Sequence, residues 1–238
     1  DGGLADYMIA PGRMCLPVTF DIPATEAVLV EPLSVGVRAL RRQPELPGSR
    51  VVVFGAGTVG LLTGQAARAM GAAEVIMVDA DPGKREVALA CGADDFLTVD
   101  RLGTLPERYG TGGPDLAIEC AGSTAAARSA LDVVRRGGTA VLLGVHEDSF
   151  QVPMLPFLLE EKTVTSSRSH DAETDFPRAL ELLRSGEIVT APLITSVIPL
   201  SRTVADGFEA LARGGRGQIK IAVVPDRLYH RVHDERES

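Results

Sequence analysis

The stretch Val51 to Asp79, VVVFGAGTVGLLTGQAARAMGAAEVIMVD, constrains the fold more than any other part of the chain. It opens on Val51 to Phe54, an apolar run with the length and β-branched content of a strand buried on both faces. The run ends in Gly55-Ala56-Gly57-Thr58-Val59-Gly60, a G-x-G-x-x-G. Val59, Leu62, Ala66, Ala69 and Met70 then recur at spacings near 3.6, which predicts a helix. A second apolar strand, Val75 to Val78, ends at Asp79. Two strands joined through one helix form a βαβ unit, which requires parallel pairing and a right-handed crossover.

Such a turn can be nothing more than a turn. Here the strand before it, the helix after it and an acid about 20 residues on are all present, the context that a dinucleotide-binding turn needs. Gly55 allows the tight turn, Gly57 leaves bare backbone for a pyrophosphate, and Gly60 lets the helix sit close to the strand. Thr58 and Val59 offer backbone N–H groups at the positive end of the helix dipole. Asp79 stands where a carboxylate accepts from both ribose hydroxyls. It would repel a 2′-phosphate, so NAD is expected rather than NADP. Lys84 and Arg85 lie nearby; one of them pairs with Asp79, stacks on the adenine or reads a phosphate. Lys84 is the candidate cofactor contact of the two.

Composition closes several other routes. A net charge of −8 without a basic cluster argues against nucleic acid as a partner. No apolar run approaches the ~20 residues that span a bilayer, and the first residues lack a signal-peptide pattern. Cys15, Cys91 and Cys120 are odd in number and scattered, which fits reduced thiols and a cytoplasmic setting. The four histidines form no ligand-spaced cluster apart from a polar tail pair, His230 and His233. The chain by itself carries no complete metal site.

Residues 2–10 alternate loosely, like a strand entered from a glycine turn, and Pro11, Pro17 and Pro23 punctuate an irregular apolar segment. This reads as the last piece of a domain whose body lies upstream. Ala24 to Arg42 is a helical stretch that Pro32 kinks or splits, with Thr25 as a possible cap. Glu31 is a carboxylate inside its apolar run, a residue in need of a cation or a donor. A pairing with Arg38 or Arg41 is the plain alternative.

From Arg50 the pattern alternates strand and helix. A helix runs from Pro82 to Cys91. Strands are expected at Phe96–Val99, Asp115–Glu119 and Thr139–Leu143, with helices at Leu102–Tyr109 and Thr124–Arg135. A short helix (Pro153–Glu160), a strand (Lys162–Ser167) and an amphipathic helix (Asp171–Ser185) follow. A strand at Leu193–Ile198 leads to a helix from Ser201 to Arg213 with Phe208, Leu211 and Ala212 buried, then a last strand, Gly217–Val224, and a mobile charged tail. The class is α/β, a doubly wound parallel sheet of the Rossmann type. Ligands of such sheets sit outside the carboxyl ends of the strands. That places Cys120 and Ala121 against the adenine ribose and Gly144 and Val145 near the nicotinamide.

The order of motifs resembles the medium-chain dehydrogenase/reductase superfamily, in its zinc-dependent polyol branch of sorbitol and threonine dehydrogenases. The residues that carry the resemblance are Gly2-Gly3-Leu4-Ala5-Asp6-Tyr7, Glu31-Pro32-Leu33-Ser34-Val35-Gly36, the glycine turn, Asp79, Glu119-Cys120-Ala121-Gly122, Gly137-Gly138-Thr139 to Gly144, and Pro192-Leu193-Ile194-Thr195 with Pro199-Leu200. They span nearly the whole chain. The resemblance implies a layout in which residues 1–30 are the remnant of a GroES-like barrel domain and 31–198 the Rossmann domain. Residues 199–224 return to the barrel, and 225–238 form the tail. It implies a homodimer or homotetramer, paired through the edge of the Lys162–Ser167 strand.

For chemistry, the resemblance implies oxidation of a secondary alcohol or polyol by NAD, assisted by zinc in the intact protein. Glu31 would face the metal as a ligand or hold its water, and Arg168 would reach the substrate. The aromatic residue that follows this arginine in the branch is Ser169 or His170 here, which leaves the substrate open. Other readings are a stand-alone dinucleotide-binding module without catalysis and a zinc-free quinone or enoyl reductase. Glu31 and Asp79 both speak against the reductase.

Overall fold

The computed structural model describes residues 2–18, 22–110, 112–215 and 217–229. The helical stretch at its start is indeed divided, but upstream of the proline. Helix α1 spans Ala24–Ala27 and α2 spans Val30–Arg41. Pro32 falls in the first turn of α2, where a missing N–H costs nothing, so it neither kinks nor splits the helix. Thr25 does not cap α1. Pro23 holds the cap position, and its carbonyl accepts the Glu26 and Ala27 N–H groups.

Six parallel strands form the main sheet: β1 Arg50–Phe54, β2 Glu74–Asp79, β3 Asp95–Thr98, β4 Leu116–Glu119, β5 Thr139–Leu142 and β6 Thr163–Ser166. Their order is β3-β2-β1-β4-β5-β6. Chain order reverses between β1 and β4, which makes that junction the switch point of a doubly wound sheet. In register, Val52 lies between Ile76 and Ala117.

The connecting helices are α3 Thr58–Ala69, α4 Arg85–Ala90, α5 Leu105–Tyr109, α6 Thr124–Val133, α7 Met154–Leu159 and α8 Asp175–Arg184. Side chains of β1 alternate between two helical layers. Val52 and Phe54 join Ile76, Leu105, Ala130 and Leu131 in one core, covered by α5 and α6. On the other face α3 lies directly on β1 and β2, and α2 and α8 pack outside it. Gly64 of α3 brings that helix against Val75 and Met77. Gly36 of α2 meets Thr63 so closely that a Cβ would clash with the Thr63 side chain and Cα. The second glycine-bearing motif of the sequence is thus a helix-crossing contact.

Helix α8 is shorter than its periodicity predicts. Asp171 accepts the Glu173 and Thr174 N–H groups at 2.9 Å, and this local turn occupies the backbone that would have made the first helical turn. Asp175 then accepts from Arg38 Nη1 at 3.1 Å, Arg41 Nε at 2.8 Å and the Asp171 N–H at 2.8 Å. Its side chain is fully buried, and the three donors are what make that burial tolerable.

The chain divides into two compact units, Val30–Val189 and a second built from Asp1–Leu29 with Thr190–Ser238. In the second, β7 Ile194–Pro199 pairs in parallel with β8 Lys220–Val224. The boundary therefore falls before β7, not after Ile198, because β7 finds its ladder with β8. Two expectations fail in this unit. Residues 2–10 make no strand, since nothing described offers them a ladder. The segment after β7 is not one amphipathic helix: short helical turns over Leu200–Arg202 and Thr203–Phe208 precede a brief α9, Glu209–Ala212. Ser201 Oγ donates to Asp226 rather than capping, and Phe208, Leu211 and Ala212 are exposed. Residues 226–229 are helical; the rest of the expected mobile tail lies outside the described residues. Among the described residues no helix is long and apolar enough to cross a membrane.

Candidate dinucleotide site

The glycine turn after β1 has the shape its spacing predicts. Gly55 takes φ +97° and donates its N–H to the Val78 carbonyl at 2.7 Å. A Cβ there would press on the Ala121 backbone. A Cβ on Gly60 would overlap the Gly55 carbonyl oxygen, so only glycine lets α3 start this close to the turn. Gly57 differs from both. It caps α3, its φ is ordinary at −89°, and nothing lies within 4 Å of where its Cβ would be. That open space in front of bare backbone, at the N-terminus of a twelve-residue helix, fits a pyrophosphate.

Asp79 ends β2 beside the turn. Its Oδ2 accepts the Ala56 N–H at 2.7 Å and its Oδ1 the Asp81 N–H at 2.9 Å. The carboxylate thus holds the glycine turn in place as well as facing the cleft. A cavity of about 190 Å³ opens there, lined by Gly55, Asp79, Val99, Ala121, Ser123 and Ala126 among others. It lies at the carboxyl ends of β1, β2 and β4, next to the switch point, and it is mostly apolar with one carboxylate at its edge. Val99 and Ala126 were not singled out in the sequence; a lone apolar residue on a loop or helix carries no local signal of cavity lining.

Cys120, half-buried, follows Glu119 at the end of β4 and precedes Ala121 of the cavity wall. Burial pushes its thiol up to about 12, the Glu119 charge adds to the effect and a hydrogen bond with Thr63 opposes it, so Cys120 is a neutral, small packing residue. Gly144 and Val145 leave β5 next to the β4 outlet, and Val145 is 86% exposed. Arg85 is not a partner of Asp79: it donates to the Phe96 carbonyl at 2.8 Å and lies 3.6 Å from Asp95. Lys84 ends the short turn Pro82–Lys84 that Asp81 caps through the Gly83 N–H, and it does not line the cavity.

Glu31 stands at the start of α2, and its side chain is 61% exposed. The argument from a buried carboxylate therefore does not apply to it. The alternative pairing fails too, because Arg38 and Arg41 are both committed to Asp175. The Glu31 neighbour is His170, whose Nδ1 lies 3.7 Å from Glu31 Oε1. That nitrogen is buried and makes no hydrogen bond. Arg168 is exposed just beyond β6. Among the described residues no three His, Cys, Asp or Glu side chains gather closely enough to hold a metal ion. Zinc asks for about four ligands, so the residues present do not fit a zinc site.

One pair was not anticipated. Glu119, buried at the end of β4, lies 2.7 Å from His146 Nε2. A sequence separation of 27 hides the contact, and the only local hint is a charged residue closing an apolar strand.

A family model described as zinc-binding dehydrogenase matches residues 58–185, more than half of the chain and most of the sheet. The chain belongs to the zinc-binding dehydrogenase family. Among curated relatives it is 33% identical over 229 residues to an L-idonate 5-dehydrogenase of Vitis vinifera, covering 93% of this chain and 62% of that protein. It is 34% identical over 228 residues to a sorbitol dehydrogenase of Arabidopsis thaliana, covering 92% and 62%. The fold also matches a candidate zinc-binding dehydrogenase of Sinorhizobium meliloti solved with NADP bound. There the TM-score is 0.85 and the identity 27%, with 94% of this chain and 66% of that one covered. The chain thus spans about three-fifths of the length of the curated relatives it matches.

Proposed function

We propose that this chain is the cofactor-holding part of an NAD-dependent dehydrogenase of polyols or related secondary alcohols. The observation that carries the reading is the apolar cavity beside the glycine turn with Asp79 at its edge. In this reading the Gly57 to Val59 backbone faces the pyrophosphate at the start of α3, and Asp79 accepts from the adenosine ribose. Ala121 and Cys120 form the wall behind the ribose, and Gly144 and Val145 border the nicotinamide. Lys84 is kept as a contact at the adenine end. The dinucleotide supplies the hydride chemistry when bound; the chain fixes its position and shields one side of it. A carboxylate at position 79 favours NAD, since a 2′-phosphate would meet a negative charge there. A relative crystallised with NADP makes this preference a question for experiment.

The substrate class rests on the relatives named for L-idonate and sorbitol. Arg168, exposed beyond β6, is offered as the substrate contact and Glu31 as the carboxylate that faces zinc in the whole protein, with His170 beside it. Strand β6 is the sheet edge, and α7 exposes Met154, Leu155, Leu158 and Leu159 next to it in sequence, which supports pairing of two copies there. The scattered thiols support a reducing, cytoplasmic setting.

Calorimetric titration with NAD and NADP tests the cofactor reading. NAD should bind tighter by at least about tenfold, the effect of roughly one misplaced charge interaction. In Asp79→Asn the preference should shrink. Absence of binding by either dinucleotide sinks the reading, and tighter NADP binding overturns the role of Asp79. For the substrate, Arg168→Ala should lower polyol kcat/KM in the whole protein, and an unchanged value removes Arg168 from the site.

A further inference from the structure

Glu119 is the last residue of β4 and is shut off from water. A carboxylate there needs donors on both oxygens. Its Oε1 accepts the Gly122 N–H at 2.7 Å, and its Oε2 lies 2.7 Å from His146 Nε2. The His146 side chain is only 17% exposed, although the residue before it is in open solvent. The contact ties the outlet of β4 to the outlet of β5. These outlets are packed tightly: a Cβ on Gly144 would overlap the Gly122 backbone and Glu119 Oε2, and a Cβ on Gly122 would press on the Val145 carbonyl. Ala121 and Ser123, on the same loop, line the cavity. The pair therefore sits between the loop that walls the cavity and the residues assigned to the nicotinamide end.

Glu119 is the charge in direct contact with His146. The adjacent Cys120 thiol is neutral. Glu147 and Asp148 follow His146 and are exposed. Protonated at both imidazole nitrogens, the pair carries no net charge; with a neutral imidazole it carries −1. A unit charge brought within about 8 Å at an effective dielectric constant near 20 moves a proton equilibrium by more than about tenfold.

We infer that Glu119 and His146 are positioning residues whose shared proton answers to the charge of the nicotinamide ring. The proton leaves to solvent when the oxidised, positively charged ring docks and stays when the reduced, neutral ring docks. This rests on the proposed placement of the dinucleotide at the β4 and β5 outlets. Its consequence is that the pair discriminates between the oxidised and reduced forms and makes the affinity for the oxidised form alone depend on pH. Oxidised NAD would bind better at higher pH, and NADH would not.

The test is calorimetry with NAD and with NADH at about pH 7, the region in which histidine titrates, in two buffers of different ionisation enthalpy. The two heats give the number of protons released on binding. NAD should release several-fold more than NADH. In His146→Gln, where an amide can still donate to Glu119 but cannot titrate, NAD should bind within about tenfold of the native affinity and the release should vanish. The ring C–H resonances of His146 in the native protein should shift on adding NAD and less on adding NADH, a readout that does not depend on the variant folding. Equal release with the two forms, or release that persists in His146→Gln, overturns the inference while leaving dinucleotide binding intact. Failure of the native chain to bind either form overturns the proposed function and this inference with it.

Discussion

The two units of the chain were written by different rules. In Val30–Val189 the apolar residues are consumed by their own sheet and helices: Val51, Val52, Val53, Ile76 and Ile118 are inaccessible to solvent. In the unit made from the two chain ends, Leu4, Tyr7, Met8, Ile9, Phe208 and Leu211 stay exposed, and a two-stranded ladder is its largest regular element among the described residues. A two-stranded pairing has little independent stability, whereas a six-stranded sheet covered on both faces carries its own core. The lesson is that apolar periodicity predicts burial only where the surrounding elements exist to complete it.

Several measurements would break or sharpen this contrast, and the largest effect is expected at Gly60. Gly60→Ala forces a methyl into the Gly55 carbonyl oxygen and should destabilise the larger unit by about 3 kcal/mol or more, read as a fall in urea midpoint. Asp175→Ala should cost about 2–4 kcal/mol in the same assay, less than a fully buried pair because Arg38 and Arg41 can turn to solvent. A stability change near zero would mean that the α2–α8 contact contributes little to that unit.

Acid is the next probe. Burial opposes ionisation of Asp115, but hydrogen bonds from Arg50 and Arg135 outweigh it and hold the carboxyl well below its ordinary range. Burial likewise opposes ionisation of Asp175, and Arg41, the Asp171 N–H and Arg38 reverse the balance. Both groups are then charged in the folded state at pH values where the unfolded chain has begun to protonate. Their contribution is complete above the unfolded carboxylate range, about pH 4, and is lost as pH falls below it. The urea midpoint should drop through that window, and Asp115→Asn should flatten part of the drop. A midpoint that holds steady below pH 4 would refute the assignment.

Gly57→Ala separates binding from stability. Its Cβ meets nothing in the protein, so stability should change by less than about 1 kcal/mol. The methyl would occupy the space assigned to the pyrophosphate, so NAD affinity should fall by at least about tenfold. Unaltered affinity would move the phosphates elsewhere. The smallest effect is expected in the other unit: Phe208→Ser replaces a residue that is 57% exposed and should change stability by about 0.5 kcal/mol or less. A large loss there would show that this face is covered in solution.

Much of the larger unit was legible because its information is local. A fully apolar run such as Val51–Phe54 can be satisfied only between two strands, and the glycine spacing encodes a turn within six residues. Readings that depended on distant partners fared worse. Arg38 and Arg41 find Asp175 more than 130 residues away, so their availability to Glu31 could not be judged locally. The apolar run around Glu31 signals a need for a cation or a donor, yet the side chain is largely exposed in the first turn of α2. The Phe208–Leu211 spacing is a genuine helical stripe with no described layer to meet it. The Glu119–His146 contact joins the ends of two adjacent strands, and only the sheet order reveals that they are adjacent.

The way the chain passes between its units has a consequence for how such a molecule can be rebuilt. It leaves the smaller unit after Leu29 and re-enters it at Thr190, and these crossing points are stitched together within that unit, with Thr190 Oγ1 donating to Glu26 at 2.8 Å. Neighbouring exit and entry points are the condition under which one domain can be spliced into another. The roughly 160 residues in between form a cassette that is complete in sequence before the ribosome has made β7 or β8. Once folded, the cassette reduces the closure of that long loop to bringing together the segment after α1 and the segment before β7, sparing most of the chain entropy. The larger unit is therefore a modular insert, open to exchange, duplication or circular permutation at a single seam.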